Sequence, residues 1–164
     1  MPDKIRLCFV CLGNIVRSPL AEHLFMHLAK KAGVAEKYVV DSAGTGTWHI
    51  GESPDGRMRR VAATHGLEYE GKSRQITRGD FDRFDLFFVM DGENYSAMMS
   101  LARSAEHQKK IHMLREFDPL GDARSAVPDP YYSGIQGFEE VYQIVERSVT
   151  CLLDILEKEP QKLL

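Results

Sequence analysis

The chain has 164 residues, of which 43% are hydrophobic and 27% are charged, and its formal net charge is −3. This size and composition are typical of a soluble globular protein, so we predict one domain over residues 1–164. The slightly acidic balance argues against nucleic acid as the main partner. Three irregularly spaced cysteines do not form a disulfide framework, which favours reduced thiols and a cytoplasmic location. The first apolar run is short and ends at a glycine, so we predict neither a signal peptide nor a membrane partner.

The predicted elements alternate between strands and helices. A buried strand at 5–10 leads into a helix at 19–32, whose apolar stripe includes Leu20, Leu24 and Leu28. The later elements are a strand at 38–40, a helix at 53–66, a strand at 85–90, a helix at 94–103, a strand at 110–114, a loop at 118–137 and a final helix at 137–159. This alternation predicts an α/β fold, a parallel sheet with helices on both faces.

Residues 11–19, CLGNIVRSP, join the first predicted strand to the first predicted helix. Ser18 and Pro19 suit the start of a helix, with serine as the N-cap and proline at the first helical position. Backbone N–H groups at a helix start bind oxyanions and favour the thiolate form of a nearby cysteine. Together with Cys11 and Arg17, this turn predicts phosphoryl transfer to a cysteine.

Each residue of this turn also has an ordinary alternative. A cysteine is usually a small buried apolar residue, but the loop context of Cys11 argues against that interpretation. Arg17 would be unfavourable at a helix N-terminus without a compensating anion, which favours a phosphate-binding role. Gly13 and Asn14 tolerate the left-handed backbone angles that a ring of inward N–H groups requires.

The stretch 11–19 resembles the phosphate loop of the low-molecular-weight protein tyrosine phosphatases. The resemblance continues in the same order with DSA at 41–43, RQI at 74–76, VMD at 89–91 and DPYY at 129–132. It implies a single domain with a four-stranded parallel sheet flanked by helices. It also implies hydrolysis of protein phosphotyrosine and of small aryl phosphates through a phosphocysteine intermediate, without a metal or cofactor.

The resemblance implies roles for the loop residues. Cys11 is the implied nucleophile, and Arg17 is the residue that grips two phosphate oxygens. The implied phosphate-loop residues between them are Leu12, Gly13, Asn14, Ile15 and Val16. Ser18 is implied to donate a hydrogen bond to the Cys11 thiolate, and Ser42 to support Asn14.

The general acid is assigned by the same resemblance. Reasoning from the residues alone leaves Asp118, Asp122 and Asp129 as equal candidates in one loop. The resemblance selects Asp129, which the flanking prolines hold in a stiff backbone, as the general acid and later the general base. The implied rim of the substrate pocket is aromatic and consists of Trp48, Tyr131 and Tyr132.

Two positions depart from the family pattern, and a third is informative about the substrate. Many relatives carry a cysteine directly before the loop arginine, and this chain has Val16. We therefore predict that Cys11 over-oxidises more readily, unless Cys8 replaces the missing thiol. A histidine often found shortly before Arg74 is not evident, which puts the support of the loop from that side in doubt. Relatives that act on phosphoarginine tend to have threonine at the position of Ile15, whose apolar side chain fits a phenyl ring better.

Other signals in the sequence are discounted. His23 and His27 have a metal-ligand spacing but lie off the apolar stripe, so we predict no metal site. The three arginines at 57, 59 and 60 predict a charged helix face. The C-x-x-C of Cys8 and Cys11 does not fit a redox pair, because Cys8 lies within a strand.

Two further function classes stay open beside the phosphatase. An arsenate reductase on the same scaffold would need relay cysteines, and Cys151 is the one distant candidate. A non-catalytic phosphotyrosine-binding module would require loss of the thiol or the acid, and both are present. For the phosphatase, we expect a monomer whose partner is a phosphotyrosine protein, with a tyrosine kinase among the candidates.

Overall fold

A computed structural model describes residues 4–164 of the chain. Its strands are β1 (Ile5–Cys11), β2 (Tyr38–Gly44), β3 (Leu86–Val89) and β4 (Ile111–Met113). In the described part of the chain they form one sheet in the order β2-β1-β3-β4, and every neighbouring pair is parallel. The predicted α/β fold with a four-stranded parallel sheet is therefore confirmed.

The α-helices of the described residues are α1 (Arg17–Lys31), α2 (Gly56–Thr64), α3 (Asp80–Arg83), α4 (Gly92–Leu101), α5 (Ala105–Lys109) and α6 (Ile135–Lys158). Three short 3₁₀ helices lie at Ala35–Lys37, Leu114–Phe117 and Pro160–Lys162. The sequence pattern does not predict α3 and α5, because helices of four and five residues are too short to show a helical hydrophobic period. No helix within residues 4–164 is long and apolar enough to cross a membrane.

Alternate residues of β1 face opposite sides of the sheet, as the two-residue period of a strand requires. Phe9 and Cys11 belong to the core cluster that α1, α2 and α6 cover. Cys8 and Val10 belong to the other cluster, together with Phe81 of α3 and residues of α4. The helices thus cover both faces of the sheet, and the thiols of Cys8 and Cys11 lie on opposite sides of it.

Helix α1 begins two residues earlier than the sequence predicts, and Val16 occupies its N-cap position. The prediction that Ser18 is the N-cap is therefore wrong. Ser18 lies inside the first turn, and its hydroxyl contacts the Cys11 sulfur and the Asn14 side chain instead. The prediction that the loop 11–16 leads into the positive end of a helix is correct.

Strand β2 continues beyond the predicted 38–40 because Ser42, Ala43 and Gly44 pair with the end of β1. Gly44 approaches the loop 11–16 closely, and a Cβ atom there would lie 2.7 Å from the Leu12 carbonyl oxygen. A larger residue would push the loop away. The carboxyl ends of β1 and β2 are therefore brought together at one edge of the sheet, where ligands bind in folds of this class.

Candidate active site

The segment after β1 folds back over the Cys11 sulfur. Asn14 has a φ of 55°, a left-handed conformation that turns the chain sharply. This turn directs the Asn14 backbone N–H at Cys11 Sγ, with a distance of 3.3 Å. Cys11 is 2% exposed, so its sulfur lies at the bottom of a recess rather than on the surface.

Ser18 supplies a second polar contact to the same sulfur. Its Oγ lies 3.0 Å from Cys11 Sγ and accepts a hydrogen bond of 2.8 Å from Asn14 Nδ2. A hydroxyl carries one proton, and the Asn14 amide already points at the oxygen, so that proton is directed at the sulfur when the sulfur is a thiolate. Two hydrogen-bond donors thus converge on Cys11.

The Asn14 side chain is fixed by groups on two other segments. The Arg74 backbone N–H donates to Asn14 Oδ1 at 2.9 Å, and Asn14 Nδ2 also donates to Ser42 Oγ at 2.9 Å. The Ser73 hydroxyl donates to the Gly13 carbonyl at 2.9 Å. The segment before Arg74, where the family's histidine is missing, therefore still supports the loop. The Ser73 hydroxyl and the Arg74 backbone N–H provide that support.

Arg17 is 2% exposed, and its guanidinium is held on one side. Nη1 donates to Asp91 Oδ2 at 2.8 Å and to the Val127 carbonyl at 2.9 Å. Nη2 lies 3.7 Å from Asp129 Oδ2. An arginine at a helix N-terminus requires compensating negative charge, and Asp91 supplies part of that charge. Asp91 also caps α4 by accepting a hydrogen bond from the Asn94 N–H.

Asp129 lies in the loop before α6, and its side chain is 44% exposed. Its Oδ1 accepts a hydrogen bond of 3.1 Å from the Tyr131 N–H, which orients the carboxyl group. Asp129 lines the same cavity as Cys11, whereas Asp118 is buried between Arg115 and Arg147 elsewhere. The geometry therefore distinguishes these two aspartates, which the residues alone could not.

A cavity of about 420 Å³ opens above the sulfur. Its floor comes from the loop 11–16, and its walls are largely aromatic. It is lined by Cys11, Leu12, Gly13, Ile15, Val16, Arg17, Trp48, His49, Asp129, Tyr131 and Tyr132. Trp48 and Tyr132 are 70% and 97% exposed, so they stand at the mouth, and a flat ring entering between them could stack on either.

Arg57 and His49 are two residues near this cavity that sequence reasoning missed. The guanidinium of Arg57 lies 5.1 Å from the Tyr131 ring centroid and 4.7 Å from that of Phe138, and Nη1 donates to the Tyr131 carbonyl at 2.9 Å. Arg57 thus lies on the predicted charged face of α2 with its side chain 39% exposed, and its guanidinium also holds the Tyr131 segment. His49 lines the cavity, and its Nδ1 lies 3.0 Å from Glu52 Oε2. The sequence signal that could have identified Arg57 is the nearby Asp55, which caps α2 and binds the Arg57 side chain.

The other two cysteines are remote from the recess. Burial raises the pKa of Cys8, although the nearby Arg74 guanidinium lowers it, and the residue faces the opposite side of the sheet from Cys11. Cys151 is partly buried in α6 against the core cluster on the α1 side. Neither position offers the mobile relay thiol that an arsenate reductase would need.

His23, one of the two histidines set aside above as a metal pair, has other contacts. His23 Nδ1 lies 2.8 Å from the Pro19 carbonyl oxygen, and the His23 ring stacks on Tyr69 with centroids 5.0 Å apart. Within residues 4–164, no group of three or more His, Cys, Asp or Glu side chains is arranged to hold a metal ion.

Comparisons with known proteins agree with this geometry. The family model described as low molecular weight phosphotyrosine protein phosphatase matches residues 6–162. A putative low molecular weight protein-tyrosine-phosphatase of Synechocystis is 41% identical over 94% of this chain and 98% of its own length. The enzyme YfkJ of Bacillus subtilis is also 41% identical, over 96% and 99%. A crystal structure of a protein tyrosine phosphatase from Entamoeba histolytica superimposes with a TM-score of 0.90 at 37% identity, covering 96% of this chain and 99% of that one.

Proposed function

Because the chain belongs to the low-molecular-weight phosphotyrosine protein phosphatase family, and is thus an enzyme of that class, we propose specific roles for its residues. Cys11 is the nucleophile, Arg17 and the loop N–H groups bind the phosphate, and Asp129 is the general acid and base. The observation that carries this proposal is the pair of donors, Ser18 Oγ and the Asn14 N–H, that converge on the Cys11 sulfur inside the cavity.

In the first step, the Cys11 thiolate attacks phosphorus as the bond to the phenolic oxygen breaks. The S–P bond forms, the phosphoryl group passes to sulfur, and Asp129 gives its proton to the leaving oxygen. The leaving phenol has a pKa of about 10, so protonation of its oxygen as the bond breaks lowers the barrier. Arg17 binds two equatorial oxygens of the transferring group with its planar fork and stabilises their charge.

In the second step, water attacks the phosphocysteine. Asp129, now ionised, accepts a proton from that water, the S–P bond breaks, and inorganic phosphate and the Cys11 thiolate are released. The hydrogen bonds from Ser18 and Asn14 stabilise the departing thiolate, as they stabilise the attacking one. The same carboxyl group thus serves both steps.

The proposed substrate is the phosphotyrosine of a protein. Ile15 gives the cavity an apolar wall, and Tyr131 and Trp48 offer aromatic faces for a phenyl ring. We also propose that a tyrosine kinase is among the partners and that the enzyme acts as a monomer in the reducing cytoplasm. The free state of the three cysteines supports the location.

The test is hydrolysis of p-nitrophenyl phosphate by the wild type and variants. We expect turnover by the wild type and none by Cys11→Ser, because serine is a far weaker nucleophile at neutral pH. Asp129→Ala should slow kcat for phenyl phosphate by about 10²–10⁴, the usual contribution of a general acid.

Cys151→Ser is the matched control, since it removes a thiol remote from the loop and should keep the wild-type rate. An inactive wild type, or a Cys11→Ser variant that retains turnover, would refute the mechanism. An unchanged rate in Asp129→Ala would remove that residue from its proposed role. Reduction of arsenate by the wild type would instead favour the reductase.

A further inference from the structure

The hydrogen-bond network that contacts the Cys11 sulfur continues away from the cavity to a carboxylate. Asn14 Nδ2 donates to Ser42 Oγ, and Ser42 Oγ donates to Glu22 Oε1 at 2.6 Å. Ser42 is 6% exposed and the Glu22 side chain is 20% exposed, so little water is available to replace either partner. Glu22 lies on α1, one turn beyond Ser18, and so the network begins and ends on the same helix.

The groups at the ends of this network set the direction of its bonds. The Arg74 backbone N–H can only donate, so Asn14 Oδ1 faces it and Asn14 Nδ2 faces the two serines. A carboxylate can only accept, so the Ser42 proton points to Glu22 and the Ser42 oxygen stays free to accept from Asn14. The Asn14 amide, held in this way, turns the Ser18 proton toward sulfur.

Glu22 is placed at an energetic cost. Burial raises its pKa, and the negative charge of Asp41 adds to the rise. Three groups lower the pKa of Glu22, namely the Ser42 hydroxyl through its hydrogen bond and His23 and Arg74 through their charges. The net shift of the pKa is nevertheless upward. A carboxylate that the fold keeps in an unfavourable position, with Ser42 as its closest polar partner, is consistent with a positioning task.

We propose that Glu22 is a positioning residue that acts on the Cys11 thiolate through the Ser42 hydroxyl. It locks the rotamer of Ser42, which holds the Asn14 amide, and so keeps the Ser18 hydroxyl as a donor to sulfur. The proposal rests on the role of Cys11 as the nucleophile proposed above. It gives the reaction a contributing residue that touches neither the phosphate nor the sulfur.

The test is the pH dependence of Cys11 alkylation by iodoacetamide in Glu22→Ala. The thiolate sulfur forms a bond to carbon as iodide leaves, so the rate reports the fraction of thiolate. Fragment ions from tandem mass spectrometry distinguish Cys11 from Cys151 and from Cys8, which lies on the same tryptic peptide. We expect the midpoint pH to rise by about 0.5–1, which is roughly a 3–10-fold loss of thiolate below the midpoint. The kcat for p-nitrophenyl phosphate should fall at neutral pH while KM changes little.

Three further variants distinguish this hydrogen-bonded path from a general loss of charge or packing around Glu22. Glu22→Gln keeps an acceptor oxygen and should restore the midpoint pH most of the way. Glu70→Ala removes a carboxylate that lines the same cavity of about 160 Å³ beside Glu22, and it should leave the midpoint unchanged. In a Ser42→Ala background, Glu22→Ala should add no further shift, because both changes break one path.

A midpoint that stays constant in Glu22→Ala while thermal stability falls would show a purely structural role and overturn the proposal. A midpoint that moves down would also overturn it, because that is the effect of removing a negative charge through space. Alkylation does not require turnover, so failure of the proposed function would appear separately, as a wild type without phosphatase activity.

Discussion

Cys8 and Val16 are the two residues that bear on how Cys11 responds to oxidation. Cys8 precedes it by three positions but faces the opposite side of the sheet, so the strand separates the two sulfurs. Val16 lines the same cavity as Cys11 and occupies the position where many relatives have a second thiol. A disulfide between Cys8 and Cys11 would require β1 to unpair, and Cys8 therefore does not replace the missing partner.

We expect peroxide to inactivate the wild type in a way that thiol reverses only in part. Without a neighbouring thiol to trap the sulfenic acid of Cys11, oxidation proceeds to the sulfinic acid, which thiols do not reduce. Activity after peroxide and then dithiothreitol, with mass spectrometry of the Cys11 peptide, measures this. Val16→Cys should raise the recovered fraction, and Cys151→Ser should behave as the wild type. Full recovery of the wild type would contradict the prediction.

The local part of the site could be predicted from the sequence, and the distant part could not. Residues 11–18 form one continuous motif, so their chemistry is visible without a fold. The contacts Arg17–Asp91, Ser73–Gly13 and Ser42–Glu22 join residues 74, 60 and 20 positions apart. No local sequence pattern shows which polar groups form these contacts. The contacts become apparent only when the strand order of the sheet is known.

At the scale of elements, the start of α2 connects the loop 11–16 to the loop that carries Asp129. The Asp55 N–H donates to the Ile15 carbonyl at 2.8 Å, which ties this helix start to the phosphate loop. Burial raises the pKa of Asp55, but hydrogen bonds from the Arg57 side chain and N–H outweigh it, and the net pKa is lowered. Arg57 in turn donates to the Tyr131 carbonyl, so one ion pair links the phosphate loop to the segment that carries Asp129.

We expect Arg57→Met to lower kcat for p-nitrophenyl phosphate by about tenfold, because a looser loop misplaces the Asp129 carboxyl group. The pH midpoint of Cys11 alkylation should stay constant, since the phosphate loop keeps its own hydrogen bonds. Arg60→Met, an exposed arginine on the same helix, is the control and should keep the wild-type kcat. Equal rates in the two variants would show that Arg57 does not position the acid.

The helical hydrophobic period predicted α1 and α6, whereas the exact start of α1 depends on side-chain contacts. The final helix has a long apolar stripe, so its position along the chain is predicted to within two residues. The start of α1 is misjudged because the Ser18 hydroxyl binds Cys11 and Asn14 rather than a backbone N–H of its own helix. The contacts of Ser18 with Cys11 and Asn14 thus outweigh the preference of serine for the N-cap position.

At the scale of the whole molecule, Asp118 joins α6 to the loop that follows β4. Its side chain is fully buried, and it accepts hydrogen bonds from Arg147 of α6 at 3.0 and 3.2 Å and from Arg115 at 2.9 Å. Burial raises its pKa, but Arg147, the Leu120 N–H and Arg115 outweigh burial, and the net pKa is lowered. The ionised carboxylate therefore stabilises the fold.

This lowered pKa predicts how stability depends on pH. Because the folded pKa of Asp118 lies below the unfolded value of about 3.9, its contribution is complete above that value and is lost as pH falls through the folded pKa. Asp118→Asn should therefore reduce the free energy of unfolding at pH 7 by about 2–4 kcal/mol, since it leaves two arginines without their buried partner. The deficit relative to the wild type should shrink as pH falls from the unfolded value through the folded pKa of Asp118. Urea unfolding across this range measures both effects, and Asp154→Asn, an exposed position on α6, should match the wild type throughout. A deficit that stays constant with pH would mean that Asp118 contributes through packing rather than through its charge.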